Sequence, residues 1–235
     1  MKDRVLYVDK VLKFSNHLDI KVLNQQSQHW EKNFSNKPEM FGLEPSLSAK
    51  KSLEIFKKNK IKNILELGAG LGRDTIFFAQ NSIQVHALDY SPSGIKVIKE
   101  KAKKYNLDHL ITAEIFDIRD TFKINNKFFD ACYSHMLYCM ALPTSDLIKI
   151  NAEINRVLKP GGLNIYTVRN DIDGDYKNGI HRGEDMYEAN GFIVHFFTKD
   201  KINSLLSGFD NLILEQFDEG NFPRKLYFVV NKKNN

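Results

Sequence analysis

Ile64-Leu65-Glu66-Leu67-Gly68-Ala69-Gly70-Leu71-Gly72-Arg73-Asp74 is the stretch that decides the fold. A short apolar run breaks into three alternate glycines and then into a helical pattern, the mark of a buried strand turning sharply into a helix. Glycines at such a turn let backbone N–H groups and a helix N-terminus approach a ligand closely. The spacing is G-x-G-x-G, and Arg73 stands where a dinucleotide-binding loop wants a third glycine for helix–strand packing. No Gly-Lys-Ser/Thr follows, which excludes a phosphate-cradling P-loop.

Outward from this turn, short apolar runs alternate with amphipathic stretches, the pattern of a parallel sheet covered by helices. The pattern predicts strands at 63–67, 84–88, 111–116, 129–134, 162–168, 211–217 and 226–230. Helices are expected at 72–80, 92–105, 145–158 and 199–206. Glu219-Gly220-Asn221-Phe222-Pro223 joins the last two strands too briefly for a crossover, so they should pair antiparallel. Two regions fall outside the alternation. Residues 1–60 read as an N-terminal cap and first helix, with aromatic residues around Trp30. Residues 170–197 form a polar and aromatic insert where the fifth strand ends, the position of a lid or binding loop. The whole chain, 1–235, is expected to be one domain with its core at 61–235.

The 235 residues suffice for a sizeable core, and no apolar run approaches the roughly 20 residues of a membrane-spanning helix. The first residues, Met1-Lys2-Asp3-Arg4-Val5, lack an apolar core, so no signal peptide is expected. The net charge of +5 invites a nucleic-acid partner, but it rests on 27 Lys and only 7 Arg, scattered along helical faces. Arg is the residue that reads base edges, so a solvated surface is the better reading and nucleic acid is not the expected partner. Cys132 and Cys139 have no second pair to complete a zinc site and read as buried thiols of a cytoplasmic protein; no metal is expected.

Three acidic residues close three successive strands. Glu66 beside the glycines disfavours a pyrophosphate and suits a ligand with an amino group. Asp89, seventeen residues past Gly72, can accept from both hydroxyls of a ribose. Asp117 could accept from an exocyclic amino group, with Ile118 packed on a purine. Together they describe a nucleoside with a cationic, unphosphorylated tail.

On these residues the chain resembles a class I S-adenosylmethionine-dependent methyltransferase over roughly residues 44–232. Glu66-Leu67-Gly68-Ala69-Gly70-Leu71-Gly72 is similar to the family's first motif and Asp89 to its second. Phe116-Asp117-Ile118-Arg119-Asp120, Phe128-Phe129-Asp130-Ala131-Cys132-Tyr133-Ser134 and the Leu158–Tyr166 turn follow in order. The resemblance implies an α/β, Rossmann-like seven-stranded, mostly parallel sheet with helices on both faces and a C-terminal antiparallel hairpin. It implies S-adenosyl-L-methionine as cofactor, contacted by Trp30, Glu66, Gly68, Ala69, Gly70, Gly72, Asp89, Tyr90, Asp117, Ile118 and Ser134. Packing roles compete for Gly72, Ser134 and Trp30.

The fourth strand exits through Ser134-His135-Met136-Leu137 and not through the Asn/Asp-Pro-Pro-Tyr/Phe of base-amino methyltransferases. Two cysteines are too few for arsenic chemistry. What remains is similar to the small-molecule group that includes the tellurite-resistance and thiopurine methyltransferases, in which Trp30, Phe34 and Phe41 would fold over the cofactor. A small-molecule methyl acceptor is therefore expected, with a monomer or homodimer. Acceptor-pocket candidates are His135, Tyr138, Tyr187 and His195, with Met136, Tyr176, His181 and Arg182 nearby. An RNA or protein methyltransferase docking through the basic surface, or a non-catalytic binding module, is the competing reading.

Overall fold

The computed structural model describes residues 18–220 and 224–235. The expectation about the first residues, the start of the cap and the turn at 221–223 lie outside the described residues. The glycine turn sits where the sequence puts it. Strand β1 (Asn63–Leu67) leads into it and helix α3 (Arg73–Gln80) leaves it.

Around that unit run α1 (Ile20–Asn36), α2 (Leu47–Lys58), β2 (Gln84–Asp89), α4 (Pro92–Lys104), β3 (Ile111–Ile115), β4 (Phe129–His135), α5 (Thr144–Val157) and β5 (Leu158–Arg169). The insert contributes β6 (Ile180–His181), β7 (Met186–Ala189) and β8 (Phe192–His195); α6 (Lys199–Ser204), β9 (Phe209–Glu219) and β10 (Arg224–Lys233) close the chain. The helix starts have local causes. Ser46, Ser91 and Thr198 cap α2, α4 and α6 through their hydroxyls, and Pro92 opens α4 with a φ already set for a helix.

Seven strands form one sheet in the order β3-β2-β1-β4-β5-β10-β9. The first five are parallel; β10 runs antiparallel to β5 and β9 antiparallel to β10, as the short connection requires. The reversal of strand order between β1 and β4 opens a crevice at their carboxyl ends, where ligands of open α/β sheets bind. On one face Leu53, Phe56, Phe78, Ile95 and Ile98 of α2, α3 and α4 cover the sheet. On the other, Leu147, Ile150, Ile154 and Ile202 of α5 and α6 do so. Within the insert, where the sequence predicts a lid or binding loop, β6, β7 and β8 make a separate three-stranded antiparallel sheet.

No helix among the described residues is long and apolar enough to cross a membrane. Both cysteines are buried and free, and no metal-ligand cluster occurs among the described residues.

Candidate functional site

The loop after β1 is held from behind by β2. The N–H groups of Gly68 and Ala69 both reach the Leu88 carbonyl, at 2.8 and 3.2 Å. The Asp89 carboxylate then grips the loop from the side: Oδ2 accepts from Gly70 N at 2.8 Å and Oδ1 from Ser91 N at 2.9 Å. Gly70 has a φ of 54° and Gly72 one of 77°, backbone that favours glycine. At Gly72 there is a second reason. A Cβ there would lie 2.5 Å from Ile98 Cγ1, so α3 and α4 pack through the space a side chain would fill.

Loop, strand ends and insert line a cavity of about 600 Å³. Trp30 and Phe34 of α1, with Phe41, roof it; Tyr187, Phe192, Val194 and Phe196 of the insert wall it; His135, Met136 and Leu137 form the floor past β4. Trp30 packs on Phe192 at 4.8 Å between ring centroids, which joins the cap to the insert above the cavity. Gln26 reinforces that joint through Gly191 and Ile193, and Glu31 ties α1 to Ser91 and Ser93 at the start of α4.

Glu66, Ala69, Gly68, Gly70, Gly72, Asp89, Tyr90 and Ile118 line one end of the cavity. Glu66 is only 3% exposed, and Thr75 Oγ1 donates to it at 2.6 Å. Burial pushes the Glu66 carboxyl up to about 8, and Asp89 up to about 6, because a charged carboxylate loses hydration there. A buried pair of carboxyls left without a cation is a site short of positive charge. Together with the bare glycine backbone, it fits a nucleoside carrying an ammonium and a sulfonium.

The other end holds groups that sequence reasoning missed: Arg73, Asp74, Arg169, Glu219 and Arg224. His135 is at its centre. Its Nδ1 lies 2.9 Å from both Ser48 Oγ and Thr167 Oγ1, and its Nε2 lies 3.2 Å from Glu219 Oε2. Burial holds the imidazole below its usual range. Ser48 Oγ continues to Tyr133 Oη at 2.7 Å, which donates to Asp74 Oδ2 at 2.9 Å.

Four expected site residues lie elsewhere. Asp117 is taken up by Arg119 and faces a separate surface depression beside Tyr90 and Phe116, not the main cavity; the paired guanidinium holds its carboxyl low. Ser134 is buried on the side of β4 that Cys132 faces, because side chains alternate and Tyr133 and His135 take the other side. Tyr138 is a core residue, stacked on Tyr166 at 4.4 Å and donating to Asn151 Oδ1 at 2.6 Å. His195 is wholly buried; its Nδ1 binds the Leu142 carbonyl at 2.8 Å and its Nε2 meets Lys201 and Glu184. Alternation along β8 sends Val194 into the cavity and His195 away from it. Tyr176, His181 and Arg182 serve the insert itself, bonded to Asp185, Glu184 and Glu188.

With that geometry in hand, residues 64–162 match a family model described as a methyltransferase domain. No curated relative matches. Among solved structures, an S-adenosylmethionine-dependent methyltransferase from Methanosarcina mazei superposes with a TM-score of 0.66 at 17% identity, covering 77% of this chain and 97% of that one. The methyltransferase CcbJ from Streptomyces caelestis gives 0.70 at 13% identity, covering 88% and 98%. A Burkholderia thailandensis 1,6-didemethyltoxoflavin-N1-methyltransferase, solved with 1,6-didemethyltoxoflavin and S-adenosylhomocysteine bound, gives 0.64 at 17%, covering 81% and 80%. At such identities the structures speak for the fold; the matched domain and the acid-lined glycine loop carry the chemistry. Residues 64–162 thus carry a methyltransferase domain within the fold of S-adenosylmethionine-dependent methyltransferases, and S-adenosylmethionine is the cofactor that this indicates.

Proposed function

We propose that this methyltransferase acts on a small molecule held in the cavity beneath α1 and the insert. The observation that carries the reading is the cover that cap and insert form over part of the cavity. Cap and insert meet above the cavity through Trp30 and Phe192, leaving about 600 Å³, within the ordinary size range of small-molecule sites. An acceptor presented by a polymer would need an open groove in place of that roof. The similarity to the toxoflavin methyltransferase, whose structure holds a small acceptor, supports the same reading.

In this reading the cofactor occupies the end lined by Glu66, Gly68, Gly70 and Asp89. The Asp89 oxygens keep lone pairs beyond those given to Gly70 and Ser91, and these are available to ribose hydroxyls. Glu66 faces the cationic tail, and Ile118 supplies an apolar surface for the base. Bound there, S-adenosylmethionine supplies an electrophilic methyl carbon on a sulfonium. The protein's part is to align the acceptor with that carbon and to exclude water, which Trp30, Phe34, Phe192 and Phe196 accomplish by closing the roof. Chain 1–235 acts as one unit, with 170–197 as a lid over the acceptor.

Calorimetric titration with S-adenosylmethionine, followed by a radiolabelled methyl-transfer screen of small aromatic acceptors and bulk RNA, tests this. Transfer to a small acceptor supports it; transfer confined to RNA or protein overturns it.

A further inference from the structure

The polar groups at the acceptor end are ordered in one direction. Asp74 is a carboxylate and can only accept, so protons along the hydrogen-bonded chain run toward it. Tyr133 donates to Asp74 at 2.9 Å, which leaves the Tyr133 oxygen to receive from Ser48, 2.7 Å away. With its own proton given to Tyr133, Ser48 Oγ is left to receive from His135 Nδ1, 2.9 Å away. Carried through to the ring, that order puts the proton on Nδ1, between the Ser48 and Thr167 hydroxyl oxygens, and the lone pair on Nε2, the tautomer assigned to His135. Since Nδ1 is engaged, Nε2 is the nitrogen left for a ligand in the cavity that His135 lines.

Glu219 completes the arrangement. Its Oε1 accepts from Leu47 N at 3.1 Å, while Oε2 is buried, lacks a hydrogen-bond partner among the described residues and lies 3.2 Å from His135 Nε2. An imidazolium formed at His135 would stand between this carboxylate and the relay that ends at Asp74.

We propose that His135 Nε2 takes the proton of the methyl acceptor, and that the acceptor is accordingly a phenolic or enolic hydroxyl on a flat ring. The proposal rests on the small-molecule methyltransferase reading given above. The hydroxyl O–H bond breaks with its proton passing to Nε2 and its electron pair forming the new O–CH3 bond. The pair of the S–CH3 bond returns to sulfur, leaving a neutral thioether, and the imidazolium later gives its proton to water. His135 is the catalytic residue of this step; Ser48, Tyr133, Asp74 and Glu219 are positioning residues.

A hydroxyl acceptor draws on the positive charges among those facing His135. Arg73 from α3 and Arg224 from β10 both act on its ring, opposed by Asp74 and Glu219. Asp74 is committed to Ser46 and Tyr133, whereas Arg224 has no ion-pair partner among the described residues. The Arg224 guanidinium thus sets an unpaired positive charge against the unpaired Glu219 Oε2 at this end, where it can meet an oxygen gaining negative character. Tyr187, Phe196, Met136 and Met140 provide walls for a flat ring.

The test is a series of ring-substituted phenols of graded acidity, with matched anilines and thiophenols, assayed on the full-length chain with S-adenosylmethionine. Cofactor binding by calorimetry is measured first on every protein. In wild type, kcat should vary little across the phenols. In His135→Gln it should fall on the order of 100-fold for weakly acidic phenols and recover for nitrophenols already ionised at the assay pH. Glu219→Gln should move the acidic limb of the kcat/KM profile to lower pH, because its carboxylate stabilises the imidazolium; an unmoved limb or a shift to higher pH overturns that role. An equal loss across all phenols in His135→Gln overturns the proposal, as does a wild type that binds cofactor but methylates only anilines or thiophenols, or none of the series. Failure of the wild type to bind cofactor overturns the methyltransferase reading beneath it.

Discussion

The Asp89 carboxylate and the Gly70 amide are joined by a 2.8 Å hydrogen bond across the turn between β1 and α3. The second carboxylate oxygen holds Ser91 N at the start of α4, so one side chain fixes two ligand-facing segments relative to each other. Asp89→Asn keeps the volume but offers one acceptor to two donors. Amide hydrogen exchange should then speed up at Gly70 or Ser91 by about tenfold, the loss of one charge-assisted bond. Unchanged exchange at both would contradict the bracing role.

Glu66 makes stability depend on pH with a defined sign. Its carboxyl titrates near 4.5 in the unfolded chain and near 8 when folded. Below pH 4.5 both states hold the proton. Between 4.5 and 8 only the unfolded state releases it, so stability falls through that window and levels above it. Glu66→Gln removes this contribution. Urea unfolding at pH 5, 7 and 8.5 should show the variant gaining on wild type by on the order of a few kcal/mol at the highest pH. Parallel pH profiles for the two proteins would contradict the burial argument.

The same carboxyls couple cofactor binding to proton release. A cationic ligand favours the ionised forms of Glu66 and Asp89, whose folded values of about 8 and about 6 bracket neutrality. Calorimetry at pH 7 in phosphate and in Tris should therefore give binding enthalpies that differ by the buffers' ionisation enthalpies, with protons leaving the protein. Identical enthalpies in the two buffers would show that neither carboxyl changes state.

Gly72 has a packing role as well as a place on the cavity wall. Gly72→Ala would force Cβ to within 2.5 Å of Ile98 Cγ1 at a φ of 77°. Strain and overpacking together should cost about 2–4 kcal/mol in chemical denaturation, more than the loss of a turn glycine alone. A cost near zero would mean that α3 and α4 separate freely.

Tyr138 distinguishes core from pocket. Tyr138→Phe strips Asn151 and Asn164 of a shared partner, at about 1–3 kcal/mol of stability, while the KM for the acceptor stays unchanged. A raised KM with intact stability would return Tyr138 to the pocket.

Much of this was legible in the sequence because it follows from period and from the residues that break it. Gly68, Gly70 and Gly72 mark the turn, and the alternation after residue 60 places the strands whose ends carry Glu66 and Asp89. Legibility stopped where one residue of register decides which way a side chain faces. Proximity in the chain points to Ser134 and His195, yet their neighbours His135 and Val194 are the ones that reach the cavity. Asp117 lies outside the main cavity for another reason: Arg119, two residues on, takes its carboxylate, and nothing in the spacing announces that pairing. Ser48, Arg169 and Glu219 come from distant segments that only the folded sheet brings to His135.

The most direct test of the central claim is calorimetric titration of the full-length chain with S-adenosylmethionine, using Asp89→Ala as the control. The expected result is saturable one-to-one binding to wild type, weakened by about tenfold to a hundredfold in the variant. No binding to the wild type would contradict it.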